Sequence, residues 1–218
     1  ATTVGGGRRL KRFILNLDEA HSRFPIISEL ASSIDDLRPL EDEILRCIGE
    51  QGEVVDSASP ELSRIRSSIR MMEARVREKL DQMVKNPSTQ KKLQDPIVTI
   101  RSNRYVIPVK QEYRAHFGGI VHDQSASGAT LFIEPEVVVQ MNNELRELRL
   151  KEEREVEKIL QRLTGLVGEH VDELEVNIQS IARLDFIFAK ALLAREMKAT
   201  LQKMNDRGYI RLRKGRHP

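Results

Sequence analysis

Apolar residues recur at helical spacing along two long stretches of the chain. Leu62, Ile65, Ile69, Met72, Val76, Leu80 and Met83 follow one another at steps of three and four residues, close to a heptad seam. Ser59-Pro60-Glu61 supplies an N-cap serine with proline at the first helical position, and Pro87 closes the pattern. A helix of this extent is about 40 Å long. The second stripe runs from Pro135 to about Thr200 through Val138, Met141, Leu145, Leu148, Val156, Leu160, Leu163, Val167, Val171, Leu174, Ile178, Ile181, Phe188 and Leu192. Between Glu144 and Arg162 its remaining positions are almost all Glu, Lys and Arg, a solvated two-faced helix. Gly165 and Gly168 predict a break or kink, without which the helix would reach about 95 Å. No repeat with a period of roughly 20–50 residues is visible, which argues against a solenoid.

Shorter elements precede these stripes. Gly5-Gly6-Gly7 opens a short basic helix with Leu10, Phe13, Ile14 and Leu17 on one face. Pro25 starts a second helical piece and Pro39 a third, through Ile44, Leu45 and Ile48, which Gly49 and Gly52 terminate. Val54-Val55-Asp56 is a brief extended link that aims the long helix.

Between the two stripes the period changes to that of strands. Ile97–Ile100 and Tyr105–Val109 are rich in β-branched residues, and Pro108 lacks a ladder donor, so its strand should lie at an edge or carry a bulge. Gly118-Gly119 and Ser127-Gly128 supply turns, the second joining Ile120–Ala126 to Thr130–Ile133 as a hairpin. The expected whole is mainly α: a long antiparallel helical lever with a small antiparallel β clamp inserted at its tip.

Charge changes the picture at this island. Lys and Arg nearly balance Asp and Glu over the chain, for a net +3, so any basic footprint must be local. Arg101, Arg104, Lys110 and Arg114 face only Glu112 within their stretch. Cations on such a ribbon can neutralise phosphates without reading bases, although edge strands also carry cations to block aggregation. A second basic cluster, Arg195, Lys198, Lys203, Arg207, Arg211, Arg213, Lys214 and Arg216, is read first as the solvated side of a strand entering a further domain.

Catalytic chemistry is thin. His116, His122, Asp123 and Glu134 match no metal-ligand spacing and read as solvated hairpin residues. Asp123-Gln-Ser-Ala-Ser-Gly128 lacks the first glycine and the strand-to-helix setting of a nucleophile elbow. Cys47 is the single cysteine, so no internal disulfide can form, and it reads as a small buried hydrophobe in a reducing, cytoplasmic protein. No apolar run is long enough to span a bilayer, and no membrane partner is expected.

Glu41–Ile48, Gly52–Ser59, Val98–Lys110 and Gly119–Pro135 resemble the second bacterial branch of the MutS family, the mismatch-repair-independent paralogue bearing a C-terminal Smr domain. Gly208–Leu212 and Arg216-His217-Pro218 are similar to the strand entering that family's ATPase domain. The resemblance implies a helical core and outgoing lever over 1–94, the clamp over 95–135, returning lever helices over 136–208 and a link into an ATPase domain over 209–218. It implies that the chain is a piece of a longer protein, a homodimer working with ATP and Mg. It also implies partners: branched or structured DNA in suppressing homologous recombination, cut by an Smr endonuclease, and the ribosome with its rRNA in rescuing collided ribosomes. The chain itself has no Gly-x-x-x-x-Gly-Lys-Ser/Thr phosphate loop, so no cofactor or catalytic residue is expected within it. Arg101, Arg104, Lys110 and Arg114 are the candidate phosphate contacts. The rival expectation is a spacer or dimerisation module whose tip touches protein.

Overall fold

A computed structural model describes residues 1–17, 23–201 and 203–211. It divides the chain into two compact units, residues 1–45 with 165–218 and residues 46–164.

The first unit is helical. It contains α1 (Thr2–Leu17), α2 (Pro25–Ser32), most of α3 (Arg38–Cys47) and, further along the chain, α8 (Val171–Glu196). Ile14, Ala31, Ile34 and Leu184 form one small core, and Val4, Leu37 and Leu40 pack with Ile44, Leu166, Val167 and Leu174 in another. The three glycines lie inside α1 rather than at its start. Gly7 sits where a β-carbon would press on Ile181, and Gly5 where it would strike the Glu41 carboxylate. Glu41 is buried and accepts a 2.6 Å hydrogen bond from Arg8. These contacts set the buried face of α1, so Phe13 and Leu17 are exposed while Ile14 is buried. Asn177 ties α8 to the chain entering α3: its Oδ1 accepts from Asp35 N–H and its Nδ2 donates to Asp35 O. Val171, Ile178 and Leu192 are exposed, so the apolar stripe does not continue as core to its end. Residues 208–211 form no strand, and no partner strand exists for them among the described residues; Leu212 lies outside these.

The second unit holds the lever and the sheet. Ile48 and Val54 bridge across the Gly49–Gly52 turn, and a single 3-10 turn, Asp56–Ala58, leads into α4 (Pro60–Lys85). Ser59 Oγ caps α4 by accepting from Leu62 N–H. Asn86 ends that helix and caps the one-turn α5 (Pro87–Gln90). Strands β1 (Thr99–Arg101) and β2 (Arg104–Lys110) follow, then a 3-10 turn and the single-turn α6 (Arg114–Phe117). Next come β3 (Ile120–Gln124) and β4 (Thr130–Glu134), then α7 (Glu136–Gly168), which ends at the predicted glycine break. The antiparallel sheet is ordered β1-β2-β4-β3.

One core joins sheet and lever. Ile65, Ile69, Val76, Leu80 and Val84 of α4 pack with Tyr105, Ile107, Val109, Leu131 and Ile133 of the sheet and with Val138 and Leu145 of α7. The sheet therefore lies along the facing turns of the two helices and is not a free ribbon. Its β1–β2 turn rests on the lever, where Arg149 donates to Asn103 and to Glu73 of α4. Two further polar rungs link α7 to the start of α4: Glu152 with Arg66 and Glu155 with Ser59.

Pro108 corrects the edge expectation. It occupies an inner strand, but its carbonyl accepts from Gln94 N–H, so its polar backbone faces the side that short β1 does not reach. The segment around Leu93 completes the sheet there, and a missing donor costs nothing.

Candidate nucleic-acid interface

The four sequence-predicted cations part company in the folded unit. Arg104 turns inward. Its guanidinium donates to Glu134 at 3.0 Å and to Asn143 at 2.6 Å, and only 13% of its side chain is exposed.

Glu134, read from the sequence as a solvated hairpin residue, is completely buried. Its Oε1 accepts from Arg104 and, at 2.8 Å, from Asn142 Nδ2; its Oε2 lies 2.5 Å from His122 Nε2. A carboxylate without such partners could not stay in this core. His122 reaches it because β3 is irregular there: Val121 pairs with Ile133 and Asp123 with Phe132, so His122 is the extra residue of a bulge.

Asn142 has a second duty. Ile107 pairs with Ile133, so the register places Tyr105 opposite Pro135, which has no N–H to offer. Asn142 Oδ1 accepts from Tyr105 N–H and its Nδ2 donates to Tyr105 O, replacing the lost ladder partner. Gly119 is fixed in the same corner by its φ of +76° and by backbone at Glu134 and Pro135, which leaves no room for a side chain. Arg104, His122, Glu134 and Asn142 thus form a structural joint between sheet and α7.

Arg101 remains on the surface but is partly engaged. It stacks over Phe132 at 4.1 Å and pairs with Asp123 at 3.3 Å.

Lys110 and Arg114 lie at the opposite end of β2 from Arg104. Lys110 N–H donates to Lys92 O, and its Nζ donates to Lys91 O, which brings Lys91 and Lys92 beside it. Lys92 Nζ in turn lies 2.7 Å from His116 Nε2 on the exposed α6. Lys91, Arg114 and His116 are exposed; Lys92 and Lys110 are half-buried along their stems. The result is a basic end of the sheet built from three separated stretches. Lys91 and Lys92 escape a charge count that starts at residue 101; their signal is an adjacent lysine pair ahead of the first strand.

The remaining chemistry is sparse. Among the described residues no three His, Cys, Asp or Glu side chains converge as metal ligands. Asp123 pairs with Arg101, and His116 and His122 meet Lys92 and Glu134 separately. Cys47 is buried, with Arg162 Nη2 at 3.4 Å from its sulfur. In the C-terminal basic cluster, Arg195, Lys198, Lys203, Arg207 and Arg211 are exposed, while Arg213, Lys214 and Arg216 lie outside the described residues. No helix is long and apolar enough to cross a membrane among the described residues.

No family model matches the chain. Curated relatives do, from end to end. It is 58% identical over 218 residues to endonuclease MutS2 of Brevibacillus brevis, 55% to that of a Geobacillus species and 52% over 219 residues to that of Halalkalibacterium halodurans. In each case all of this chain is covered, and it spans 28% of the relative's length. The resemblance read from the sequence is thereby borne out: the chain matches a segment of that MutS branch.

Proposed function

We propose that this chain, similar over its whole length to part of the MutS2 endonucleases, is a lever and clamp that grips structured nucleic acid through its phosphates without reading sequence. The observation that carries this reading is the gathering of Lys91, Lys92, Lys110 and Arg114 at one end of the sheet. Cations held by backbone carbonyls and a rigid strand can meet a phosphate track without folding first. Arg101, which pairs with Arg104 at the opposite end of β2, lies apart from this set. Arg104 is removed from it, because its charge is already committed to Glu134.

The lever supplies the complementary part. The polar rungs between α4 and α7 and the shared core make sheet and helices one body, so displacement of the helices would carry the clamp with them. For the whole protein the proposal carries over a homodimer driven by ATP and Mg, with an endonuclease elsewhere in the chain. Branched DNA in recombination suppression, or the rRNA of collided ribosomes, would be the target. No catalytic residue is assigned within residues 1–218.

The test is a titration of the chain against a four-way junction, a linear duplex and a structured RNA across a salt series. Converting Lys91, Lys92, Lys110 and Arg114 to Gln should lower affinity. It should also flatten the salt slope by about 0.7–0.9 for each phosphate no longer neutralised. An unchanged slope would sink the assignment.

The spacer reading has one observation in its favour. On the first unit, Ile26, Val176 and Phe186 line an open groove of about 690 Å³ between α2 and α8, and all three are well exposed. Binding to a protein target that survives both high salt and nuclease would favour that reading.

A further inference from the structure

The basic end of the sheet also presents rings. The segment between Lys110 and Gly118 is a 3-10 turn, Gln111–Tyr113, running directly into α6. Tyr113 is 37% exposed, and none of the described hydrogen bonds or ring contacts involves it. His116, one turn later, is exposed and stands edge-on to Phe117 at 5.3 Å, with the planes at 85°. Phe117 packs against the main core, so the His116 ring is set on a fixed base. Lys92 lies against that ring, Lys110 and its partner Lys91 adjoin the start of the segment, and exposed Arg114 is part of it.

A duplex offers such a surface only its phosphates and groove edges, because its base faces are stacked on one another. Unpaired nucleotides offer both a phosphate chain and free π-faces. Surfaces that combine cations with accessible rings match that second ligand. We infer that the Tyr113–His116 segment is a stacking platform for unpaired nucleotides, such as those splayed at a branch point or in a loop. The inference rests on the nucleic-acid reading above and deepens it, by making the ligand single-stranded at this end of the clamp. Tyr113 supplies the principal face, His116 a second, and the adjoining lysines and Arg114 hold the phosphates.

Fluorescence anisotropy on the full chain would use oligothymidylate, oligouridylate and a blunt duplex of equal length. Tyr113→Ala should weaken both single strands by about tenfold or more, the range of a lost base–ring stack, and leave the duplex within about twofold. The salt slope should not move, since no charge is lost. Tyr113→Phe should restore wild-type binding, which separates stacking from the hydroxyl. His116→Ala should have a smaller effect of the same kind. Adding oligodeoxyuridylate, which differs from oligouridylate only at the 2′-position, decides between DNA and RNA. The platform is overturned if Tyr113→Ala leaves single-strand affinity unchanged, or if duplex and single strand fall together. It is also overturned if only the lysine and arginine variants matter, in which case the phosphate reading stands alone. Failure of the wild-type chain to bind any probe would instead remove the nucleic-acid reading beneath it.

Discussion

Removing Arg104 should cost stability rather than nucleic-acid affinity. Glu134 is fully buried and receives Arg104, Asn142 and His122, while Arg104 itself is 13% exposed. Arg104→Ala strips the one permanently charged partner and leaves the carboxylate in the core with two donors. Breaking a buried pair by deleting one member costs about 3–5 kcal/mol. Asn142 and His122 still solvate the carboxylate, so the lower part of that range applies, about 3 kcal/mol. For a chain of this size each kcal/mol moves Tm by about 2–4 °C, which predicts a loss of about 6–12 °C in the melt of the chain. Arg101→Ala is the control. Its ion pair with Asp123 is largely solvated and its stack on Phe132 modest, so together they contribute about 1 kcal/mol. Thermal melts followed by hydrogen exchange in residues 99–134 would read both variants. The combined Arg104→Gln, Glu134→Gln variant should recover much of the loss, because no uncompensated charge then remains. Equal losses for Arg104→Ala and Arg101→Ala, or losses of single Arg104→Gln and Glu134→Gln that simply add in the double variant, would refute the buried-joint argument.

Further expectations follow from the same geometry. Gly119→Ala drives a β-carbon into Glu134 O at a φ of +76°, and should prevent the second unit from reaching its native melt. Gly128→Ala, at a φ of +74° but with open space around it, should cost only about 1–2 kcal/mol in the same assay. Arg66, by its hydrogen bond, holds the Asp56 carboxyl below its ordinary value. Asp56 therefore stabilises the fold above the unfolded carboxylate pKa of about 4 and loses that contribution as pH falls through its lowered folded value. Acid titration of Asp56→Asn should show a shallower loss of stability below about pH 4, and a small one, since Asp56 is 44% exposed.

Much of the fold was legible because it depends on local rules. The Ser59-Pro60 cap, the α4 seam, the proline that ends it and the glycine break in the returning helix each act within a few residues. What escaped depends on register. Tyr105 needs a partner because Pro135 falls opposite it, and nothing near Tyr105 in the chain announces that Asn142 will supply one. Glu134 escaped for the same reason: its burial follows from Arg104, His122 and Asn142, which lie up to thirty residues away on three other elements. The face of α1 was misassigned because its glycines were read as opening the helix, whereas they lie within it and two of them are points of close approach.

The cations show why local charge counting fails at a strand. Arg104 and Lys110 lie on the same strand with the same parity, opposite to the core residues Tyr105, Ile107 and Val109, so alternation cannot distinguish them. Position along the strand does. The Arg104 end abuts the end of β4 and the first turns of α7, where Glu134 and Asn143 await a donor. The Lys110 end runs beside the segment that follows α5, where Lys91 and Lys92 offer it only backbone carbonyls. A guanidinium at the first end is drawn into a joint, and an ammonium at the second stays available to a phosphate. Exchanging the two residue types tests this directly. Arg104→Lys should lower stability, because a single ammonium cannot serve both Glu134 and Asn143, whereas Lys110→Arg should leave stability and the salt slope of binding as they are. Measured loss of binding without loss of stability in Arg104→Lys would mean that the inward end, and not the Lys110 end, carries the contact.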